Sequence, residues 1–221
     1  MDIVLFGAGQ FADVVAVYLE AHSQDRIVAY TVDAAYRQQD EFRGLPLVDW
    51  ESLEQFYPPG SVQILGPISF RDGNRFRRDR FEDGLARGYS FYTFVHPNCD
   101  NYAANIGQNV LILEGNTLQP YTEIGDNCIL WSNNHIGHHT QLGKHCFLAG
   151  QVGLGGNTQV GEGVFLAGKS GAIDNVSIGD WSLMNFGAYA TQNIPPDSIV
   201  ASPKIRMIEG GAARYAKRLL G

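Results

Sequence analysis

From Ile106 to Ala190 every sixth residue of the chain is apolar, without a gap or an insertion. The fifteen positions are Ile106, Ile112, Leu118, Ile124, Leu130, Ile136, Leu142, Leu148, Leu154, Val160, Leu166, Ala172, Ile178, Met184 and Ala190. With 44% of residues apolar, chance would give such a run in a fixed phase about once in 10⁵ trials. The residue four further on is constrained too. From Val110 to Ala188 it is Val, Thr, Cys, Ser or Ala, except at Asn116 and Asn134. A helix repeats every 3.6 residues and a strand every 2, so neither alone produces a period of six. A short strand followed by a tight turn does. A large aliphatic and a small residue, two apart, then both point inward. Gly follows the aliphatic residue at 107, 125, 137, 143, 155, 161 and 179, where it is expected to relieve a turn of positive φ. Three hexads close one triangular coil, so residues eighteen apart stack at the strand spacing of about 4.8 Å. The run is long enough for five coils, and a β-sandwich would not hold one phase over that length.

The first hundred residues carry no such period. Ile3-Val4-Leu5-Phe6 reads as a short buried strand that runs into Gly7-Ala8-Gly9-Gln10-Phe11-Ala12. A helix follows, with apolar Val14, Val15, Val17, Tyr18 and Leu19, and a second strand over 27–32 ends at Asp33. Further elements are a strand over 62–66, a charged helix over 74–88 and a strand over 89–95. Strand, Gly-rich turn, helix, strand and acidic residue open a nucleotide-binding α/β unit. The glycines let backbone approach phosphate, and the helix N-terminus favours its charge. A helix packed tightly on a sheet explains the same glycines. A full NAD site is disfavoured, because fewer than 100 residues supply only half of a doubly wound sheet.

Composition narrows the class. Lys plus Arg is 16 and Asp plus Glu is 23, a net charge of −7 without basic blocks. That argues against nucleic acid or an anionic membrane as the main partner. No apolar run reaches the roughly 18 residues of a membrane span. The opening Met1-Asp2-Ile3 lacks the basic region of a signal peptide, and three cysteines make a poor disulfide framework, so a cytoplasmic protein is expected.

Four of the six histidines, His135, His138, His139 and His145, lie within sixteen residues. Histidine is the side chain best suited to act as a base near neutral pH. Each also has a plain structural explanation as a turn or packing residue. His135 lies on a strand between inward positions and should face outward, into a cleft or against a neighbour. His145 is expected to be a surface turn residue. Cys128 and Cys146 fall in the inward phase and are expected as stacked core residues rather than ligands, so no metal site is expected.

A short Gly-rich α/β unit, the hexad run and a short tail together resemble the hexapeptide-repeat sugar acyltransferases, such as the bacillosamine and perosamine N-acetyltransferases and the sialic-acid O-acetyltransferase. The resemblance implies a small Rossmann-like N-terminal domain over 1–97, a left-handed parallel β-helix of about five coils over 98–203 and a C-terminal tail helix over 204–221. It also implies a cytoplasmic homotrimer of bacterial surface-glycan synthesis that uses acetyl-CoA and a nucleotide-linked sugar, with active sites between neighbouring subunits. In the family a His two places after a hexad aliphatic residue is the base, which is His138 here. The acidic residue that follows it in the family is replaced by His139, and a second family His by Phe147. Gly156, one coil above His138, is implied as an oxyanion donor. Gly168, Phe186 and Lys204, with Phe147 and Gly156, are implied on the coenzyme side. Gly9, Gln10, Phe11, Asp33 and Gly66 are implied against the nucleotide, and His135 near the sugar. Acetylation of an amine, acetylation of a hydroxyl and non-catalytic binding of a nucleotide sugar all remain open at this level.

Overall fold

The computed structural model describes residues 1–202. The expected tail helix and Lys204 lie outside the described residues. The N-terminal domain comprises β1 (Asp2–Phe6), α1 (Gln10–His22), β2 (Arg26–Val32), β3 (Glu41–Phe42), β4 (Leu45–Asp49), β5 (Gln63–Leu65), α2 (Arg75–Ala86) and β6 (Ser90–Phe91). They form one six-stranded sheet in the order β3-β4-β2-β1-β5-β6. Only the β3–β4 pair is antiparallel. Helix α1 packs on one side of the sheet through Ala12, Val15, Ala16 and Leu19, spaced as one helical face. Val14 and Val17, though apolar, are exposed. On the other side, Val4, Phe6, Ala29 and Ile64 pack with Trp50, Phe81 and Phe91.

The strand expected over 89–95 is broken. Its first half, β6, ends the N-terminal sheet, whereas Phe94–Val95 pairs with Leu111–Ile112 and starts the second architecture. This is a left-handed parallel β-helix of two-residue rungs on three faces. The first face has seven rungs, from Phe94–Val95 to Ile199–Val200; the second has six, from Asp100–Asn101 to Tyr189–Ala190; the third has five, from Asn105–Ile106 to Ser177–Ile178. Between the end rungs partners are eighteen residues apart, as in Leu111↔Ile129 and His135↔Gly153. The aliphatic and small inward positions form one buried core, including Cys128 and Cys146. The two asparagines among the small positions also face inward. Asn116 Nδ2 donates to Leu113 O and Trp131 O at 2.7 and 2.9 Å, and Asn134 Oδ1 accepts from Val152 N at 2.7 Å.

The turn glycines play a different part from the one expected. Positive φ falls two residues after them, at every sixth position from Asn109 to Gly187, and most of these residues are not glycine. Asn, His, Gln, Lys, Tyr and Trp adopt the left-handed conformation there, at a cost of about 1 kcal/mol each for lack of a glycine. The glycine after the aliphatic residue is required by close approach between coils instead. A Cβ at Gly137 would stand 2.5 Å from Gly156 N and 2.6 Å from Gly155 C.

The two architectures are joined by packing and by buried polar groups. Outward residues Leu111, Ile129 and Phe147 of the first face are buried in the same core as α1. At the corner entering that face, Gly66 N donates to Asn109 Oδ1 at 2.8 Å, and Asn109 Nδ2 donates to Gly66 O and to Asn127 Oδ1 at 2.7 and 2.8 Å. Asn127 Nδ2 lies 2.7 Å from His145 Nδ1. Arg77 of α2, wholly buried, donates to His145 O and Cys146 O at 2.5 and 3.0 Å. His145 is therefore not the surface residue expected: it is buried, and burial followed by the nearby Arg77 lowers its pKa to about 4.

Candidate active site

His138 and His139 occupy the corner between the second and third faces, directly after the rung His135–Ile136. Both rings are exposed. The backbone of His138 is held at both ends: its N–H donates to Gln119 Oε1 at 2.8 Å, and its carbonyl accepts from Asn157 N at 2.7 Å. The ring Nδ1 lies 3.1 Å from His139 Nδ1, and the two planes are nearly perpendicular at 87°. His139 has φ +59°, the corner conformation, and its ring packs on Tyr121 with centroids 4.7 Å apart and a 33° interplanar angle. His139 thus meets His138 with a ring nitrogen rather than a carboxylate.

Gly156 sits under the other edge of His138. A Cβ there would stand 2.6 Å from His138 Cε1 and 2.7 Å from Nε2, so any side chain would displace the imidazole. The expected role of its amide is not available in this arrangement. Gly156 N donates to Asp174 Oδ1 at 2.7 Å. Gln108 N and Glu162 N, at matching corner positions, donate to Asp126 and Asp180 in the same way. The contact is a repeating corner bond, and it leaves no proton on that amide for an oxyanion. Gly156 contributes clearance.

The other expected residues divide into groups. His135 faces outward on the second face and is exposed. Above it the outward positions are Gly153 and Gly171, with Tyr189 over Gly171. Gly168 and Phe186 lie on the opposite corner of that face, Gly168 beneath the exposed Phe186 ring at 3.4 Å from where its Cβ would be. One chain therefore presents His138 and Phe186 on the two edges of a single face, and does not bring them together. Phe147 is on the first face, stacked with Phe165 at 5.3 Å and packed on Phe70 at 5.3 Å. It lines the junction with the N-terminal domain, away from the His138 corner.

In the N-terminal domain, Gly9, Gln10 and Phe11 are exposed at the start of α1. Gly9 is the N-cap, without a side-chain cap, so the first-turn amides face outward with the positive end of the helix dipole. Gly7, at φ +147°, is the glycine the turn requires, and Ala12 packs 3.1 Å from where its Cβ would be. Asp33 departs from expectation. It is buried in a bidentate pair with Arg80, at 2.7 and 3.0 Å, so its carboxylate is already engaged. Gly66 is engaged as well, with both its N–H and its carbonyl held by Asn109.

A pocket of about 300 Å³ opens between the domains. Phe11 and Phe70 line it from the N-terminal side, Trp131, Phe147 and Phe165 from the first face, and Ser132 from the corner. The sequence carries a signal for this wall. Phe94, Leu111, Ile129, Phe147, Phe165, Leu183 and Ile199, the outward positions of the first face, are all apolar. On the third face the same positions read Asn105, Glu123, Gln141, Gln159 and Ser177. Reading outward residues at a period of eighteen would have identified the face that the N-terminal domain covers. Among the described residues no cluster of three or more His, Cys, Asp or Glu could hold a metal ion, and no helix is long and apolar enough to cross a membrane.

The family model of the bacterial transferase hexapeptide, six repeats, matches residues 103–138 and 121–156. No curated protein matches the chain. Among solved structures it is similar to a single-site mutant of perosamine N-acetyltransferase from Caulobacter crescentus, in complex with CoA and GDP-perosamine, at 24% identity and TM-score 0.81 over 94% of this chain and 98% of that one. It is also similar to the acetyltransferase domain of PglB from Neisseria gonorrhoeae, at 21% identity and TM-score 0.77 over 93% and 99%. The same domain in complex with acetyl coenzyme A matches at 20% identity and TM-score 0.77, over 94% and 98%. These likenesses establish the fold over both domains. The repeat over 103–156 is that of the bacterial transferase hexapeptide, and the fold over both domains is the one these solved structures share.

Proposed function

We propose that the protein is an acetyl-CoA-dependent N-acetyltransferase acting on a nucleotide-linked amino sugar. The observation that carries this reading is His138: an exposed imidazole, fixed by its backbone, with Nε2 directed over a residue that has no side chain. Similar folds bind CoA and GDP-perosamine or acetyl coenzyme A, which supports the same pair of ligand classes. In this reading the sugar amine attacks the thioester carbonyl and the C–N bond forms. His138 Nε2 takes the amine proton as the tetrahedral oxyanion develops. The C–S bond then breaks, and the proton passes to the leaving thiolate, giving CoA and the acetamido sugar.

Residues 1–97 serve the nucleotide sugar, with phosphate at the first turn of α1 beside Gly9, Gln10 and Phe11. Residues 98–203 serve the coenzyme, along the second face towards Gly168 and Phe186. Because one chain separates His138 from Phe186, a site containing both draws on a neighbouring subunit, which fits a cyclic homotrimer. The setting is cytoplasmic synthesis of surface glycans. Thiol release from acetyl-CoA, measured with amino sugars and with their hydroxyl counterparts on several nucleotides, is the test. Release with an amino sugar alone supports the reading; release only with the hydroxyl sugar replaces it with O-acetylation, and none with either removes the catalytic reading. Light scattering should give three times 24.3 kDa.

A further inference from the structure

Two imidazoles joined through Nδ1 and Nδ1 can share only one proton. At 3.1 Å one nitrogen must carry the hydrogen and the other must accept it. If His139 donates, His138 holds its own hydrogen on Nε2 and has no lone pair to offer the reaction. If His138 donates, its Nε2 is free, and it is this edge that Gly156 leaves clear. A proton taken at Nε2 then leaves the His138–His139 bond intact, because His138 Nδ1 remains a donor. The reading of His138 as the base selects this second arrangement, and two features hold the His139 ring in place for it. Its backbone is fixed in the left-handed corner, at φ +59°. Its face rests on Tyr121. With Nδ1 accepting, the hydrogen of a neutral His139 sits on its Nε2.

We propose that His139 and Tyr121 are positioning residues that set the tautomer and the plane of His138. Tyr121 packs against His139, His139 Nδ1 accepts from His138 Nδ1, and His138 Nε2 is kept as the base. This deepens the transferase reading and rests on it. The arrangement selects a tautomer as a triad carboxylate does, without a carboxylate's charge. A consequence is that a proton on His139 disables the pair. A cationic His139 offers only donors, so His138 Nδ1 must accept and Nε2 must carry the hydrogen.

The test is spectroscopic first. Long-range proton–nitrogen spectra of ¹⁵N-labelled protein in alkaline buffer, with both rings neutral, should show His138 as the Nδ1–H tautomer and His139 as Nε2–H. His138→Ala identifies its signals by their loss. In His139→Phe, which keeps a ring over Tyr121 but removes the acceptor, His138 should change to Nε2–H. In His139→Asn, whose carbonyl can accept near the same place, it should stay Nδ1–H. In acetylation assays His139→Phe should lower kcat at least about tenfold with KM values held, and His139→Asn should recover several-fold of that loss. Tyr121→Ala should cost about two- to tenfold, the range of a lost ring–ring contact. Finding His138 as Nε2–H in the native protein overturns the proposal even if acetylation proceeds. Equal kcat in His139→Phe and native enzyme overturns it as well. If no sugar is acetylated, the transferase reading fails while the tautomer measurement still decides this one.

Discussion

Two corners of the β-helix use the same backbone for opposite purposes. Asn109, Asn127 and His145 stack at one, and Tyr121, His139 and Asn157 at another, all with left-handed φ between 55° and 67°. The first corner is sealed beneath α2 and Gly66, and its side chains have no solvent. The second is open, and its two histidines are exposed. Burial lowers the pKa of His145, which is engaged with Asn127, while the rings of His138 and His139 face solvent. The hexad dictates the fold of the chain at a corner. What covers the corner decides whether a histidine there becomes part of a joint or part of a site.

The comparison can be broken most directly at His138. His138→Ala should lower kcat by roughly 10² to 10⁴, the usual worth of a positioned base, with an unchanged melting temperature. Full activity there, with loss in His135→Ala, would move the base one rung back. At the sealed corner the effect should be reversed in kind. Arg77→Ala leaves the Ser69, His145 and Cys146 carbonyls without their donor and should cost roughly 3 kcal/mol in urea unfolding. An Arg77 variant as stable as the native protein would mean the joint is held by apolar packing alone.

Gly156→Ala sharpens the contrast at the open corner. The new methyl collides with the His138 ring, so kcat should fall roughly tenfold or more while stability changes little. If instead Gly156→Ala is fully active, the imidazole works from a different position. The smallest effect concerns pH. Burial lowers the His145 pKa from 6.5 to about 4, so the unfolded chain takes up this proton first as pH falls. The contribution of His145 is complete above pH 6.5, declines towards about 4 and is constant below it. His145→Asn should therefore flatten part of the fall in melting temperature over that window. A profile identical to that of the native protein would assign the acid sensitivity elsewhere.

The inward half of each hexad was legible because it answers to one demand, filling a narrow core, and that demand repeats every six residues. Val110, Cys128 and Leu130 could be placed from spacing alone. His138 was reached differently, through its match to a family residue at a fixed offset from a hexad aliphatic residue, and it lies on an exposed corner. The glycines were misread because Gly serves two ends, positive φ and close approach, and sequence does not separate them. Gly137 shows the second. Asp33 and Gly66 were read by motif, but their engagement with Arg80 and Asn109 depends on partners 47 and 43 residues away. His145 was missed for the same reason: its burial is created by α2, which arrives from outside the repeat.

The three-faced coil also gives the chain a spatial reading frame. Removing six residues above the site, for example 157–162, would leave every sixth residue apolar and every left-handed corner in phase. The core would register nothing. Yet each outward residue beyond the cut would rotate by one face, and Phe165 and Leu183 would leave the first face for the third, in line with Glu123 and Gln141. Removing eighteen would restore every face and only shorten the β-helix by about 4.8 Å. Length changes within this repeat should therefore be tolerated in whole coils. Those of one or two hexads scramble the surface of a protein that still folds.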